Sequence, residues 1–312
     1  MADFKRLGYF VQIAEMGSLT RAAQRLRIAQ PSLSRQMRIL EEELGVTLFT
    51  RGHRGMQLTE AGEVLRSGIA GPLRQIGHAL YEVRSLPNET MGAVSFGMPP
   101  TFVSVLASGL AARVAKECPR VSLHIVEGYS GHLMEWLKRG ELDAAILYGP
   151  TPAGVNATRL LEDELVLVGS TGSLPPGDAI SFKDLARVPL VLPSRTHGLR
   201  MTIESAAAKT RLDLTIAFEA DSFQLMRELV ETHSLCTILP PSAVHSLVRS
   251  GALGSVRIVD PVPTRQVYLA MQSGAQSPRA VLEVERFLRD EVARLIGDGV
   301  FSNARMVQAV DL

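Results

Sequence analysis

The order of hydrophobic patterns predicts an α/β protein in three parts: a helical N-terminal head, one long helix, and a larger half of alternating strands and helices. Three observations carry this. Apolar residues recur at helical spacing in short runs between Phe4 and Leu44, a single helical seam continues from Thr59 through Leu86, and from Met91 onward strand-like runs alternate with helical ones. At 312 residues the chain exceeds one ordinary domain, and 46% apolar with 21% charged residues reads as globular. The net charge of +1 is spread unevenly: the first 84 residues hold 12 Lys and Arg against 8 Asp and Glu, the remainder 21 against 24. A basic head on a mildly acidic body fits a head that meets phosphate.

In the head, Phe4, Leu7, Phe10, Val11 and Ala14 share one helical face, and the helix ends near Gly17. Ser18 or Thr20 can cap a short second helix with Ala22, Ala23 and Leu26 inward, and a break follows at Arg27-Ile28-Ala29. Pro31 opens a third helix, where its missing N–H would be unpaired in any case. There Leu33, Met37, Leu40 and Leu44 form the apolar stripe and leave Ser32, Ser34, Arg35 and Arg38 on the other faces. Two short helices about a tight break, the second presenting small polar residues and arginines, is how a helix-turn-helix offers a recognition helix to the major groove. A plain bundle with a solvated polar face shares any one of these features, but not the sequence as a whole.

The run GSLTRAAQRLRIAQPSLSRQMRILEEELGVTLFTRGHRGMQLTEAG, Gly17 to Gly62, closely resembles the winged helix-turn-helix of LysR-type transcriptional regulators. The resemblance implies that residues 1–58 bind double-stranded DNA. It places Gln30, Pro31, Ser32, Ser34 and Arg35 at the groove-facing start of the recognition helix, where Gln can bond adenine in two places and Arg can do the same to guanine. Arg38 and the hydroxyls then hold phosphates, which sets register without reading sequence. Leu48-Phe49-Thr50-Arg51 matches the strand entering the wing, with Arg51 a backbone contact, and Gly52-His53-Arg54-Gly55 the wing tip, with Arg54 in a minor groove. Ala29 stands where the family often has a serine, so a side-chain cap worth about 1 kcal/mol is missing.

Residues 59–87 form the linker. Leu65, Ile69, Leu73, Ile76, Leu80 and Val83 make a seam with coiled-coil spacing, which calls for a partner helix. In the family this helix pairs two subunits, so a homodimer or homotetramer on an interrupted inverted repeat is expected. Gly71-Pro72 interrupts the run and predicts a bend. Pro87-Asn88-Glu89 ends it.

Strand-like runs follow at 93–97, 121–126, 143–148, 165–169, 190–192, 214–218, 235–239, 255–259 and 266–271, with helical stretches between most of them, which argues for parallel sheets. About 200 residues of this texture suit two lobes. The resemblance supplies a two-lobed effector-binding domain of the type II periplasmic-binding-protein kind over 91–297: lobe one from 91–162 and 266–297, lobe two from 163–265, and a tail at 298–312. Ligands of such sheets collect at the carboxyl ends of strands. Pro100, Thr101, Tyr129, Ser130, Tyr148, Thr196 and His197 follow those ends and can bind a small molecule between the lobes, with hydroxyls and helix N-termini favouring a carboxylate. The segments GMPPT, EGYSGHLMEWLKRGELDAAILYGP and LPSRTHGLR further resemble the branch with nitrogen-assimilation control and organic-acid catabolic regulators, from which Thr196 departs where a proline is common. That branch mixes members that need an effector with members that do not.

Catalysis finds no support. Ala93-Val94-Ser95-Phe96-Gly97 lacks the first glycine of a nucleophile elbow, and neither a P-loop nor an H-E-x-x-H occurs. Seven scattered histidines and two distant cysteines, Cys118 and Cys236, give no metal-ligand spacing, so no metal or cofactor is expected. Glu141 and Asp143 read as a turn and strand edge. With no export-signal pattern and no long apolar span, the expected place is the cytoplasm, where RNA polymerase is a further partner the family allows. A solute-binding protein would explain Met91 to Gly297 equally well, but not the head.

Overall fold

The computed structural model describes residues 3–52, 55–84, 90–149, 152–272 and 277–307. The chain divides into two compact units, one of residues 1–84 with 139–141, the other of the remaining residues.

In the first unit, helix α1 (Phe4–Met16) is capped by Asp3 and closed by Gly17 at φ 57°. Helix α2 (Leu19–Leu26) starts from Ser18, whose side chain accepts from Arg21 N, and ends at Arg27 in the left-handed region. Helix α3 (Gln30–Leu44) begins at Ala29 with no side-chain cap, Pro31 lies in its first turn, and Gly45 closes it. Phe10, Ile13, Ala22, Leu33, Leu40 and Leu48 form the shared core. Each large apolar side chain buried there contributes about 2 kcal/mol. Strands β1 (Phe49–Gly52) and β2 (Gly55–Leu58) pair antiparallel as the wing. Glu41 on α3 fixes the wing's entry by accepting from Leu48 N at 2.7 Å, and Met56 N donates to Gly17 O at 2.9 Å. Helix α4 (Glu60–Arg84) runs through Pro72 without ending there. Its early seam residues Leu65 and Ile69 pack on the head core, while Ile76, Leu80 and Val83 are exposed.

The second unit starts with β3 (Gly92–Met98), α5 (Pro100–Glu117), β4 (Val121–Glu127), α6 (Ser130–Lys138) and β5 (Ala144–Tyr148). Strand β6 (Asn156–Glu164) leads out of this lobe and β7 (Val166–Gly169) opens the next. Then come β8 (Ala179–Ser181), β9 (Leu190–Leu192), α7 (Gly198–Thr210), β10 (Ile216–Glu219), α8 (Phe223–Thr232), β11 (Cys236–Leu239), α9 (Pro241–Arg249) and β12 (Gly254–Val259). Strand β13 (Thr264–Met271) returns to the first lobe, followed by α10 (Arg279–Gly297) and β14 (Ala304–Met306). Among the described residues the sheets order as β14-β6-β13-β5-β3-β4 and β10-β9-β11-β7-β12-β8.

The sheets are mixed, which corrects the expectation of parallel ones. Strands β3, β4 and β5 run parallel, but β13 is antiparallel to both β5 and β6, and β7 is antiparallel to β11 and β12. The chain crosses between lobes once in each direction on β6 and β13, so these neighbours must oppose each other. Three strands escaped the sequence pattern: β6, which ends in Glu162-Asp163-Glu164, and the short β8 and β14. Strand β14 lies in the C-terminal segment and pairs with β6. Just before it, Phe301 is buried 6.2 Å from the Phe102 ring, so this part of the tail belongs to lobe one. One apolar cluster runs through both lobes, and a second, around Leu133, Leu137 and Leu147, fills the space under α6. Among the described residues no helix is long and apolar enough to cross a membrane.

Candidate nucleic-acid interface and interlobe cleft

The N-terminal half of α3 carries the helix residues expected to meet DNA. Leu33, Met37 and Leu40 point into the core, which turns Pro31, Ser32, Arg35 and Arg38 outward, with Gln30 and Ser34 half-buried. Arg35 makes no ion pair among the described residues, while Arg38 lies 4.0 Å from Glu42, with both side chains largely exposed. Such a pair is worth little and yields readily to a phosphate. Arg51 is exposed on β1; Arg54 lies outside the described residues. Because Ala29 supplies no cap, the first N–H groups of α3 remain open at the positive end of the helix dipole.

The expected effector residues divide. Pro100, Thr101, Tyr129, Tyr148 and His197 line one cavity between the lobes together with Phe223. Ser130 and Thr196 do not line it. Ser130 Oγ accepts from Tyr148 N at 3.1 Å and so fixes the end of β5, while exposed Thr196 pairs with the Ser194 hydroxyl at 3.3 Å. The cavity measures about 20 Å³, room for one water and too little for a carboxylate on a carbon chain. The donors expected to hold that carboxylate are also engaged or absent. Pro99 and Pro100 give the start of α5 no N–H, Leu199 N at the start of α7 donates to His197 Nδ1, and Ser222 takes Leu225 N at the start of α8.

Behind the cavity lies a pair that no local pattern announces. Arg265 on β13 and Asp163 on β6 face each other in register, fully buried, with Nε–Oδ1 at 2.7 Å and Nη2–Oδ2 at 2.8 Å. The third nitrogen donates to Thr101 Oγ1 at 3.2 Å, and the guanidinium lies 4.9 Å from the Phe102 ring and 5.0 Å from the Tyr148 ring. The two crossings between lobes are thus joined by a bidentate charge pair that also touches the cavity wall. Tyr148 is 3% exposed, and its hydroxyl has no partner of good geometry. Burial raises its pKa; Thr101 lies near enough to oppose that slightly without forming a normal bond.

His197 joins the lobes. Its ring meets Tyr129 edge-on at 4.2 Å between centroids and Tyr148 at 5.9 Å. The adjoining Gly198 passes so close that a Cβ there would stand 2.9 Å from Tyr148 O. Burial brings its pKa down to about 4, with Asp221 opposing and Arg265 adding to the shift. The ring is therefore neutral, and since Nδ1 accepts from Leu199 N its proton sits on Nε2. A base with a lowered native pKa leaves the unfolded chain holding more protons between pH 6.5 and 4, so stability falls as pH drops through that window. Between pH 7 and 5 the expected loss is about 2 kcal/mol. His197→Asn, which keeps a capping side chain, should flatten that dependence in thermal melts of the whole protein; an equally steep native and variant profile would assign it elsewhere.

Two family models match. Residues 4–63 match the bacterial regulatory helix-turn-helix protein of the lysR family, and residues 87–293 the LysR substrate binding domain. The chain belongs to the LysR family. Its relatives include the nitrogen assimilation regulatory protein nac of Klebsiella aerogenes, 34% identical over 281 residues, covering 89% of this chain and 92% of that protein. The dual regulator OxyR of Escherichia coli is 28% identical over 276 residues, covering 88% and 90%. Among solved structures, a full-length OxyR variant from Pseudomonas aeruginosa superposes with a TM-score of 0.71 at 25% identity, covering 100% and 99% of the two chains. Full-length CbnR complexed with its target DNA gives 0.66 at 21%, covering 93% and 99%, which supports the fold. This LysR protein is thus a DNA-binding transcription regulator with an effector-binding domain, not an enzyme. Regulators of this family bind DNA and small molecules and form oligomers. Consistent with that role, Asp143 accepts from Ser95 N at 2.8 Å and ties β5 to β3.

Proposed function

We propose that this regulator works as a homodimer, or a pair of such dimers, on an interrupted inverted repeat. Gln30 and Arg35 read bases, Arg38, Arg51 and the hydroxyls of Ser32 and Ser34 hold the backbone, and Arg54 enters a minor groove. The observation that carries this reading is the exposed Arg35 in the second turn of α3, without an ion pair among the described residues and held outward by a buried stripe on the opposite face. The exposed Ile76, Leu80 and Val83 on α4 support pairing of two copies along that helix. A small effector at the interlobe cleft shifts the lobes, changes the relative setting of the heads and so alters DNA bending.

The similarity to relatives such as the probable hydrogen peroxide-inducible genes activator of Streptomyces viridosporus, 29% identical over 294 residues, does not carry over to thiol chemistry in this reading. Burial raises the Cys118 thiol and pushes Cys236 up to about 11, so neither supplies a reactive thiolate near neutrality.

Gel shifts with genomic fragments at several salt concentrations test the head. Arg35→Ala should lose about 10- to 100-fold on the specific site and relax base preference, a change of about 1–3 kcal/mol. Arg51→Ala should weaken all sequences alike and flatten the salt dependence by about one ion. Loss of specificity alone in both variants would overturn this division of roles.

A further inference from the structure

The interlobe cavity adjoins a larger cleft of about 690 Å³, and Pro100, Tyr129 and Phe223 belong to both walls. The charges of this outer cleft are mostly negative. Glu127 at the end of β4, Asp221 before α8, and Glu228 and Glu231 on α8 line it, against Arg227. Arg227 meets Glu231 through Nη2 at 3.4 Å while its buried Nε has no partner among the described residues, and Glu127, Asp221 and Glu228 make no ion pair there, although Glu228 accepts from Gln224 Nε2 at 3.0 Å. Asp221 uses one oxygen to accept from Ser194 N at 2.8 Å, which fixes the carboxylate and leaves the other oxygen open. Deeper in, the walls are Tyr129, Tyr148 and Phe223 with Met226, and the buried Tyr148 hydroxyl has no partner of good geometry among the described residues.

We propose that this cleft takes a small organic cation, a mono- or diamine, whose ammonium head enters the inner cavity beside Tyr148 while its chain and any second charge lie along Glu127, Asp221 and Glu228. The proposal rests on the reading of the chain as a ligand-responsive regulator and names the class of its effector. An ammonium head is close to a water in size and so fits the inner cavity, where aromatic walls stabilise a cation and an oxygen accepts its N–H. The Arg265 charge behind Tyr148 is neutralised by Asp163 and does not repel it. A bare metal ion is disfavoured, because among the described residues no three acidic, His or Cys side chains stand close enough to coordinate one. An anion meets several uncompensated carboxylates at the mouth and few free donors inside.

The test is titration calorimetry and thermal melting of the full-length protein with butylamine, putrescine and agmatine against butyrate and succinate. Putrescine or agmatine should raise the melting temperature by about 5 °C near saturation, with binding weakened by salt, while the carboxylates leave it unchanged. The double variant Glu127→Gln/Glu228→Gln should bind the amine at least 10-fold more weakly yet melt like the native protein without ligand. Tyr148→Phe should weaken the amine severalfold. Stabilisation by carboxylates alone would overturn the amine and leave the effector cleft standing. Amine binding untouched by the double variant would place it elsewhere and overturn the proposal. No stabilisation by either set would overturn the amine and remove the cleft's support as a sensor, with gel shifts judging the DNA-binding head separately.

Discussion

Arg265→Met is expected to lower the melting temperature of the effector-binding unit by roughly 10 °C. The variant leaves Asp163, 2% exposed, as a charge buried without a partner, and removing one member of such a pair costs about 3–5 kcal/mol. Asp163→Asn should cost less, because an amide can still accept one of the two bonds from Arg265. The informative comparison is Asp163→Leu/Arg265→Met. Replacing both charges by apolar groups of similar size restores most of the loss, since desolvation of the pair nearly balances its attraction. The pair then serves chiefly to fix geometry: it aligns β6 with β13 at the lobe crossings and, through Thr101, Phe102 and Tyr148, ties that alignment to the cavity wall. Differential melting and circular dichroism of the whole protein check the order. A single variant as stable as the native protein would mean that the charges are not buried together.

The head was far more legible in the sequence than the cleft, and the reason is distance along the chain. Its helices are short, capped by neighbours such as Asp3, Ser18 and Gly45, and built on apolar residues within one or two turns of each other. Local rules therefore place Arg35 outward without knowledge of the rest. The cleft depends on residues brought together across long separations. Asp163 and Arg265 lie at the crossings, where the acidic end of β6, Glu162-Asp163-Glu164, hid a strand and gave no apolar signal. Reading residues after strand ends did find Tyr129, Tyr148 and His197, because the fold itself delivers those positions to the cleft. It did not tell which hydroxyls would be engaged. Ser130 turned back to its own sheet and Thr196 to a loop hydroxyl, and the acidic mouth from Glu127 to Glu231 became visible only when β4 and α8 were seen to face one space.

Gly55→Ala is expected to cost about 3 kcal/mol or more and to weaken specific DNA binding at least 10-fold. Gly55 begins β2 at φ +106°, a region that side chains rarely occupy, and a Cβ there would stand 2.4 Å from Gly17 O. That contact is with backbone, so no rotamer change relieves it, and the strain and overpacking costs add. The same carbonyl accepts the Met56 N–H, the bond that seats the wing against the turn between α1 and α2. Pushing it away loosens the wing from the helix-turn-helix in a head whose total stability is of the order of 5–10 kcal/mol. Gly8→Ala supplies the contrast within the same head. It lies in α1 with nothing within 4 Å of its Cβ position, so alanine there should stabilise by about 0.5–1 kcal/mol and leave DNA affinity unchanged. Equal melting and equal gel shifts for the two variants would show that the wing is not seated through Gly17. Opposite shifts would establish that the close approach of two backbone segments, Gly17 and Gly55, gives the DNA-binding head its shape.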